Sequence, residues 1–297
     1  MHEDHRTWRI ARGRRALGAG AATAGLVAVL LAASAVPTAA APTSAAVGAP
    51  RASGTVDVLY AGSLLAVMQN DLAPAFHRAT GYTVSGISGG STGLANQIKS
   101  GAVVGDVFIS ASPTADEGLV GTANGGWVTK YTEFGVSPLV LGYNPASRFA
   151  RALTSRPWFD VVDAPGFLLG RTNPKTDPKG VLAADALQGV ALSYQLPQLG
   201  ALVANSSGVF PETSLVGRLQ AGQLDAGFFY KVEATAASIR TVPLASTGLA
   251  AQYTVAQLNR APHPAAAKAF VRFLLSAAGR AILKKDGVTA VIPPKVL

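Results

Sequence analysis

Short apolar runs alternate along the chain with stretches whose apolar residues recur at helical spacing. Thr55–Ala61 is apolar enough throughout to predict a central strand, and it ends in Gly62-Ser63. Leu64 to Arg78 predicts a helix, interrupted or restarted near Pro74 and stopped at Gly81. Tyr82–Ile87 alternates as a second strand and runs into Gly89-Gly-Ser-Thr-Gly93. Ser91 to Ser100 follows as a helix with Leu94 and Ile98 on one face and Gly101 as its stop. Asp106–Ser110 is a third strand, and Ser110-Ala-Ser-Pro113 precedes another helix. The order β-α-β-α-β is that of a doubly wound parallel sheet.

A second set of elements follows Pro138–Tyr143, which reads as a strand leading out of the first lobe. Phe167–Arg171 is a strand, residues 172–180 form a turn-rich loop, and an Ala/Leu helix continues to about Tyr194. Glu212–Ala221 is helical, Leu224–Tyr230 is a strand, and Tyr253–Leu258 carries the chain back. The last helices, Ala265–Leu275 and Gly279–Lys285, place Phe270, Phe273 and Leu274 on one face to cover the first lobe. The expectation is an α/β protein of two doubly wound lobes joined by a hinge. Residues 55–138 and 253–297 form lobe 1, and 139–252 form lobe 2. A cleft between such lobes suits closure around a ligand.

The N-terminus is different material. Five arginines between Arg6 and Arg15 precede Ala16–Val36, which carries no charge, and Ala39-Ala-Ala41 offers small residues for cleavage. Residues 1–41 therefore read as a signal peptide, with residues 42–54 as a flexible tether. The expected location is the periplasm or cell-envelope exterior. The alternative is an uncleaved N-terminus that tethers the protein to the membrane. Past residue 41 the chain holds 20 basic against 14 acidic residues, an excess that fits a solvated surface or mild steering of an anion. The Lys and Arg residues are scattered rather than interleaved with aromatics, so no nucleic-acid footprint is present. Without cysteine there is no disulfide, thiolate metal site or lipid-modified Cys.

The chemistry concentrates at the two Gly-Ser junctions. A serine between a strand and a helix can cap the helix, and the same junction exposes N–H groups at the positive end of the helix dipole. Two such junctions on neighbouring parallel strands would aim hydroxyls and N–H groups into one crevice, where open α/β sheets bind ligands. Ser63 and Ser91 are thus candidate contacts for a small oxyanion, against the plainer reading of ordinary caps. Tyr230, at a strand end, is a core aromatic or a ligand contact. Gly89-Gly-Ser-Thr-Gly93 also fits G-x-S-x-G, which would make Ser91 the nucleophile of a serine hydrolase. That reading needs a histidine after an acid, and past residue 41 only His77 and His263 are available. No catalytic residue and no resident cofactor is expected, since no nucleotide motif or transition-metal constellation stands in the chain.

Taken in order, Ala61-Gly-Ser-Leu64, Gly90-Ser91, Asp106–Ala111, Asn173-Pro-Lys-Thr-Asp-Pro178, Gly222-Gln-Leu-Asp225, Phe229-Tyr-Lys231 and Val291-Ile-Pro-Pro294 resemble the molybdate/tungstate-binding proteins of ABC importers. The likeness is greatest to their archaeal-type branch and covers nearly all of residues 55–297. It implies a type II periplasmic-binding-protein-like fold, a monomer, no enzymatic activity, and delivery of molybdate or tungstate to a membrane ABC permease. It also implies that Ser63, Ser91 and Tyr230 contact the oxyanion. Asp177 and Glu212 would add carboxylate ligands to the bound metal centre. One departure is that Lys179-Gly-Val181 stands where the family often has Gly-Tyr-Arg after Asp-Pro. The outside alternative is a binding protein for another small anion or solute, such as a sugar or an iron complex.

Overall fold

Among the described residues the sheet has ten strands: β1 (Thr55–Ala61), β2 (Thr83–Gly89), β3 (Val107–Ser110), β4 (Thr132–Tyr143), β5 (Leu169–Thr172), β6 (Val209–Phe210), β7 (Ala226–Tyr230), β8 (Arg240–Pro243), β9 (Ala250–Gln257) and β10 (Thr289–Val296). The computed structural model describes residues 53–244 and 248–297. The expected signal peptide and nearly all of the tether lie outside the described residues. No helix among the described residues is long and apolar enough to cross a membrane.

The strand order is β2-β1-β3-β9-β4-β7-β5-β6, with β8 and β10 also paired to β4. β1 runs parallel to both β2 and β3, so the two Gly-Ser junctions do end neighbouring parallel strands. β4 organises the rest. Its first part, through Pro138, pairs antiparallel with β9, and from Leu139 onward it pairs with β7. One strand thus runs through two sections of sheet, and the α/β two-lobe architecture follows from it.

The helical segment after β1 extends from Gly62 to Thr80 and changes character on the way. A π-helical turn, Met68–Leu72, lies just ahead of Pro74, and the α-helix Ala73–Thr80 then ends at Gly81, whose φ is 88°. Proline has no N–H to donate to the preceding turn, and a widened turn is one way for a helix to accommodate that gap. Phe76 is wholly buried there, with its ring 5.1 Å from Phe270 and 5.6 Å from Phe273. The helix Pro264–Leu274 therefore covers β1 and β9, the side expected for it.

Several boundaries differ from expectation. β4 begins six residues before Pro138 because its first part lies between β9 and β10. β10 was not expected, since Pro293 and Pro294 cannot donate to a ladder. Its pairing with β4 shifts register between Ala290 and Lys295, which accommodates them. The Glu212–Ala221 segment is a single 3₁₀ turn, Glu212–Ser214, leading into the α-helix Leu215–Gln220.

Candidate functional site

The two serines are buried at their junctions, and neither caps a helix. Ser63 lies inside a 3₁₀ turn, Gly62–Leu64, and its hydroxyl is hydrogen-bonded to that of Tyr253 at 2.8 Å. Ser91 is the first residue of the helix Ser91–Ser100, with Gly90 as the cap residue, and its Oγ accepts the N–H of Ala111 at 3.0 Å. The expected capping role fails because each serine sits one or two residues inside its turn rather than at the cap. Both hydroxyls are instead tied to the sheet, Ser63 to β9 and Ser91 to the end of β3.

Opposite these junctions stand residues of the other section. Asp177 caps the helix Pro178–Ser193. Its Oδ1 accepts the Lys179 N–H at 2.9 Å, while its buried Oδ2 makes no hydrogen bond of normal geometry and has the Thr172 side chain as its neighbouring donor. The turn-forming role therefore occupies one oxygen and leaves the other outside the cap. Glu212 opens its 3₁₀ turn with Oε1 bonded to Lys179 Nζ at 3.1 Å, and its buried Oε2 is without a partner. Close approach joins the two sections. A Cβ on Gly62 would overlap the Glu212 carboxylate, and one on Gly90 would overlap the Thr176 carbonyl and fall 2.9 Å from Asp177 Cβ. A backbone bond from Gly93 N–H to Thr176 O, 2.9 Å, ties the same faces together.

Tyr230 ends β7, wholly buried, with its ring packed edge-on against Tyr253 at 6.3 Å and its hydroxyl unpaired. The Ser63 junction thus lies against Glu212 and the Ser91 junction against Asp177, and Tyr230 is linked to Ser63 through Tyr253. A pocket of about 270 Å³ opens beside this seam, lined by Gly89, Gly90, Gln97, Asn173, Asp177 and Glu212 among others.

Three further residues belong to the seam. Lys179 is wholly buried and bridges Glu212 at 3.1 Å and Glu233 at 2.7 Å, its ammonium 5.8 Å from the Tyr230 ring centre. Tyr253 holds Ser63 from 190 positions away. Sequence reading passed over all three. A lysine and a glutamate ordinarily mark a solvated face, and only their setting, just after an N-cap aspartate and just after a strand-end tyrosine, hinted otherwise.

The electrostatics follow from burial. Burial pushes Glu212 up to about 8 despite the Lys179 ammonium, with Glu233 and Asp177 adding to the rise. Asp177 and Glu233 are raised for the same first reason, and Lys179 pulls both the other way. Burial alone would lower Lys179, but the charges of Glu233, Glu212 and Asp177 outweigh it and raise it. Burial also lifts the Tyr230 phenol well above its ordinary value, so it stays a neutral donor. Three carboxyl groups share one ammonium, and Glu212 Oε2 stands open.

The histidines are engaged elsewhere. His77 Nδ1 bonds the Tyr82 carbonyl, and His263 Nδ1 lies 2.9 Å from Asp106 Oδ2 and 3.5 Å from Asp57 Oδ2. Asp57, Asp106 and His263 thus form a cluster of potential metal ligands that the sequence did not suggest. Hydrogen bonds account for it. Asp106 Oδ1 accepts the His263 N–H, and its Oδ2 accepts the Asp57 N–H, which clasps β1 to the start of a helix.

Two sections of α/β sheet thus meet along a small polar seam, the arrangement of a two-section binding fold. The chain belongs to the bacterial extracellular solute-binding protein family, whose model matches residues 56–289. A putative ABC transporter molybdenum-binding protein of Haloferax volcanii is 30% identical over 62% of this chain, a match that spans 58% of that relative's length. The molybdate/tungstate-binding protein of Pyrococcus abyssi is 22% identical over 55% of this chain and 63% of its own. Among solved structures, the periplasmic molybdate-binding protein of Azotobacter vinelandii superposes with a TM-score of 0.63 at 22% identity, covering 79% of this chain and 98% of that one. That likeness is one of fold.

Proposed function

We propose that this solute-binding protein captures molybdate or tungstate in the seam between its two sections and delivers it to an ABC permease from outside the cytoplasm. The observation that carries the reading is a buried carboxyl group at each junction: Glu212 Oε2, without a partner, lies against Gly62 beside Ser63, and Asp177 lies against Gly90 beside Ser91. An ionised carboxylate about 4 Å from a dianion costs roughly 8 kcal/mol at an effective dielectric near 20. Protonating the carboxyl group instead removes that repulsion but forfeits its strength as a ligand. Molybdenum and tungsten can take carboxylate oxygens as additional ligands and so offset the cost. Sulfur in sulfate cannot. The same two side chains then serve as ligands for one anion and as a barrier to the other.

The remaining groups suit the anion's own oxygens. The Ser63, Tyr253 and Tyr230 hydroxyls are neutral donors, and the junctions supply backbone N–H groups at helix starts. Nothing in this role calls for a nucleophile. The support from relatives is that two of them carry molybdenum or molybdate in their names, and those names describe the relatives.

A thermal-shift screen against molybdate, tungstate, sulfate, phosphate, ferric citrate and a panel of sugars tests the proposal, because a ligand of the native state raises the melting temperature. Molybdate and tungstate should give the largest rises. A sugar or iron complex that outperforms both would replace this reading with that of another solute.

A further inference from the structure

We infer that Lys179 is the positioning residue of the cleft. Through its main-chain N–H it holds Asp177, and through its ammonium it holds Glu212, so that each carboxylate presents a single oxygen to the bound anion. The inference rests on the proposed oxyanion reading and adds a residue and a device to it.

The bonding pattern carries the argument. Asp177 and Glu212 are 35 positions apart and sit on different elements, yet one residue takes one oxygen of each: Oδ1 at 2.9 Å and Oε1 at 3.1 Å. Of the other two oxygens, Glu212 Oε2 is left without a hydrogen bond, and Asp177 Oδ2 has only the neighbouring Thr172 side chain to satisfy it. A free carboxylate can rotate and offer both oxygens. One whose other oxygen is already bonded offers a single oxygen, which suits a ligand that takes one position on a metal centre. The common partner also fixes the spacing between them.

Lys179 is itself held in place. The first helical turn packs directly on the preceding loop, because a Cβ at Gly180 would fall 2.5 Å from Thr172 O and 2.6 Å from Pro174 N. The side chain is wholly buried, with the Phe229 and Tyr230 ring centres 5.6 and 5.8 Å from Nζ. Glu233 takes the shorter of the two ammonium contacts, at 2.7 Å. The ammonium is therefore anchored on Glu233 and reaches Glu212 by the longer contact. A buried ion pair adds little to stability over apolar packing, so a purely structural role explains this arrangement poorly.

The test uses the double variant Lys179→Met/Glu233→Gln, which removes the ammonium and its counter-charge together and leaves both proposed ligands. Tungstate affinity is read by titration calorimetry, and the tungsten environment by L-edge X-ray absorption. The expected result is a loss of tungstate affinity of about tenfold or more, the scale of one charged hydrogen bond. The tungsten spectrum should move toward the tetrahedral anion, and sulfate affinity should not fall. A lower melting temperature with unchanged tungstate affinity and spectrum would leave Lys179 as a stabilising residue and overturn the inference. Glu233→Gln, which keeps size and shape, provides a second reading should the double variant not fold. Lys179 then loses its shorter anchoring contact and Glu212 its fixed placement, so the tungstate-over-sulfate preference should narrow by about tenfold. An unchanged preference also overturns the inference. Wild-type protein that binds no tungstate at all would instead remove the oxyanion reading, and this inference with it.

Discussion

At the scale of single residues, Asp177 combines two roles that sequence reasoning treats as alternatives. Oδ1 caps a helix through the Lys179 N–H, and Oδ2 stands buried outside the cap, beside the Thr172 side chain. Asparagine could keep the cap, since its carbonyl oxygen accepts the same bond and its preference at the cap position is comparable. It would lack the charge and the ligand strength of the second oxygen. Asp177→Asn should therefore leave the ligand-free melting temperature nearly unchanged and weaken tungstate binding by about 2 kcal/mol or more, the scale of a bond to a charged group. Sulfate binding should hold or improve. Titration calorimetry with both anions checks this, and equal small changes would reduce Asp177 to its capping role.

At the scale of elements, the site depends on how closely two strand-to-helix turns approach the facing loops. Gly90 has φ −64° and ψ 131°, a backbone that alanine adopts freely, so its lack of a side chain serves the approach of Thr176 and Asp177 and not the turn itself. Gly90→Ala should push the two faces apart. The ligand-free protein should melt within a few degrees of wild type, since alanine strains no dihedral there. The melting-temperature rise produced by tungstate should largely disappear. A variant with the full ligand-induced rise would show that the observed approach is not the binding arrangement.

The same elements show what could be read in advance. β1, β2 and the helix Ser91–Ser100 were legible because apolar runs and helical spacing end sharply at glycines such as Gly101, with φ 72°. The junctions were legible as a pair because β-α-β order makes their strands neighbours. The hydroxyl partners were not. Ser63 meets Tyr253 and Ser91 meets the Ala111 N–H through the sheet order β2-β1-β3-β9, in which β9 arrives from far along the chain. Lys179 and Glu233 were hidden for another reason. A charged residue is expected to face water, and only tertiary packing reveals that three carboxyl groups and one ammonium share a dry seam. β10 was obscured by its prolines, which local propensity reads as loop.

At the scale of the whole molecule, the protein is two sections of α/β sheet sharing β4, which changes partners between Pro138 and Leu139. One section supplies hydroxyl and N–H donors from the Ser63 and Ser91 junctions, and the other supplies carboxylates from Asp177 and Glu212. Neither set alone discriminates among tetrahedral anions. Donors on their own would accept sulfate, and carboxylates on their own would repel every dianion. In the proposed role, selectivity belongs to the assembled cleft, where ligation of the anion's metal centre would offset the burial of charge. The most direct measurement of that claim is a calorimetric titration of the wild-type protein with tungstate in a large excess of sulfate. The tungstate isotherm should be hardly altered by sulfate, and sulfate alone should give no binding heat. A tungstate isotherm abolished by sulfate, or a sulfate affinity equal to that for tungstate, would contradict it.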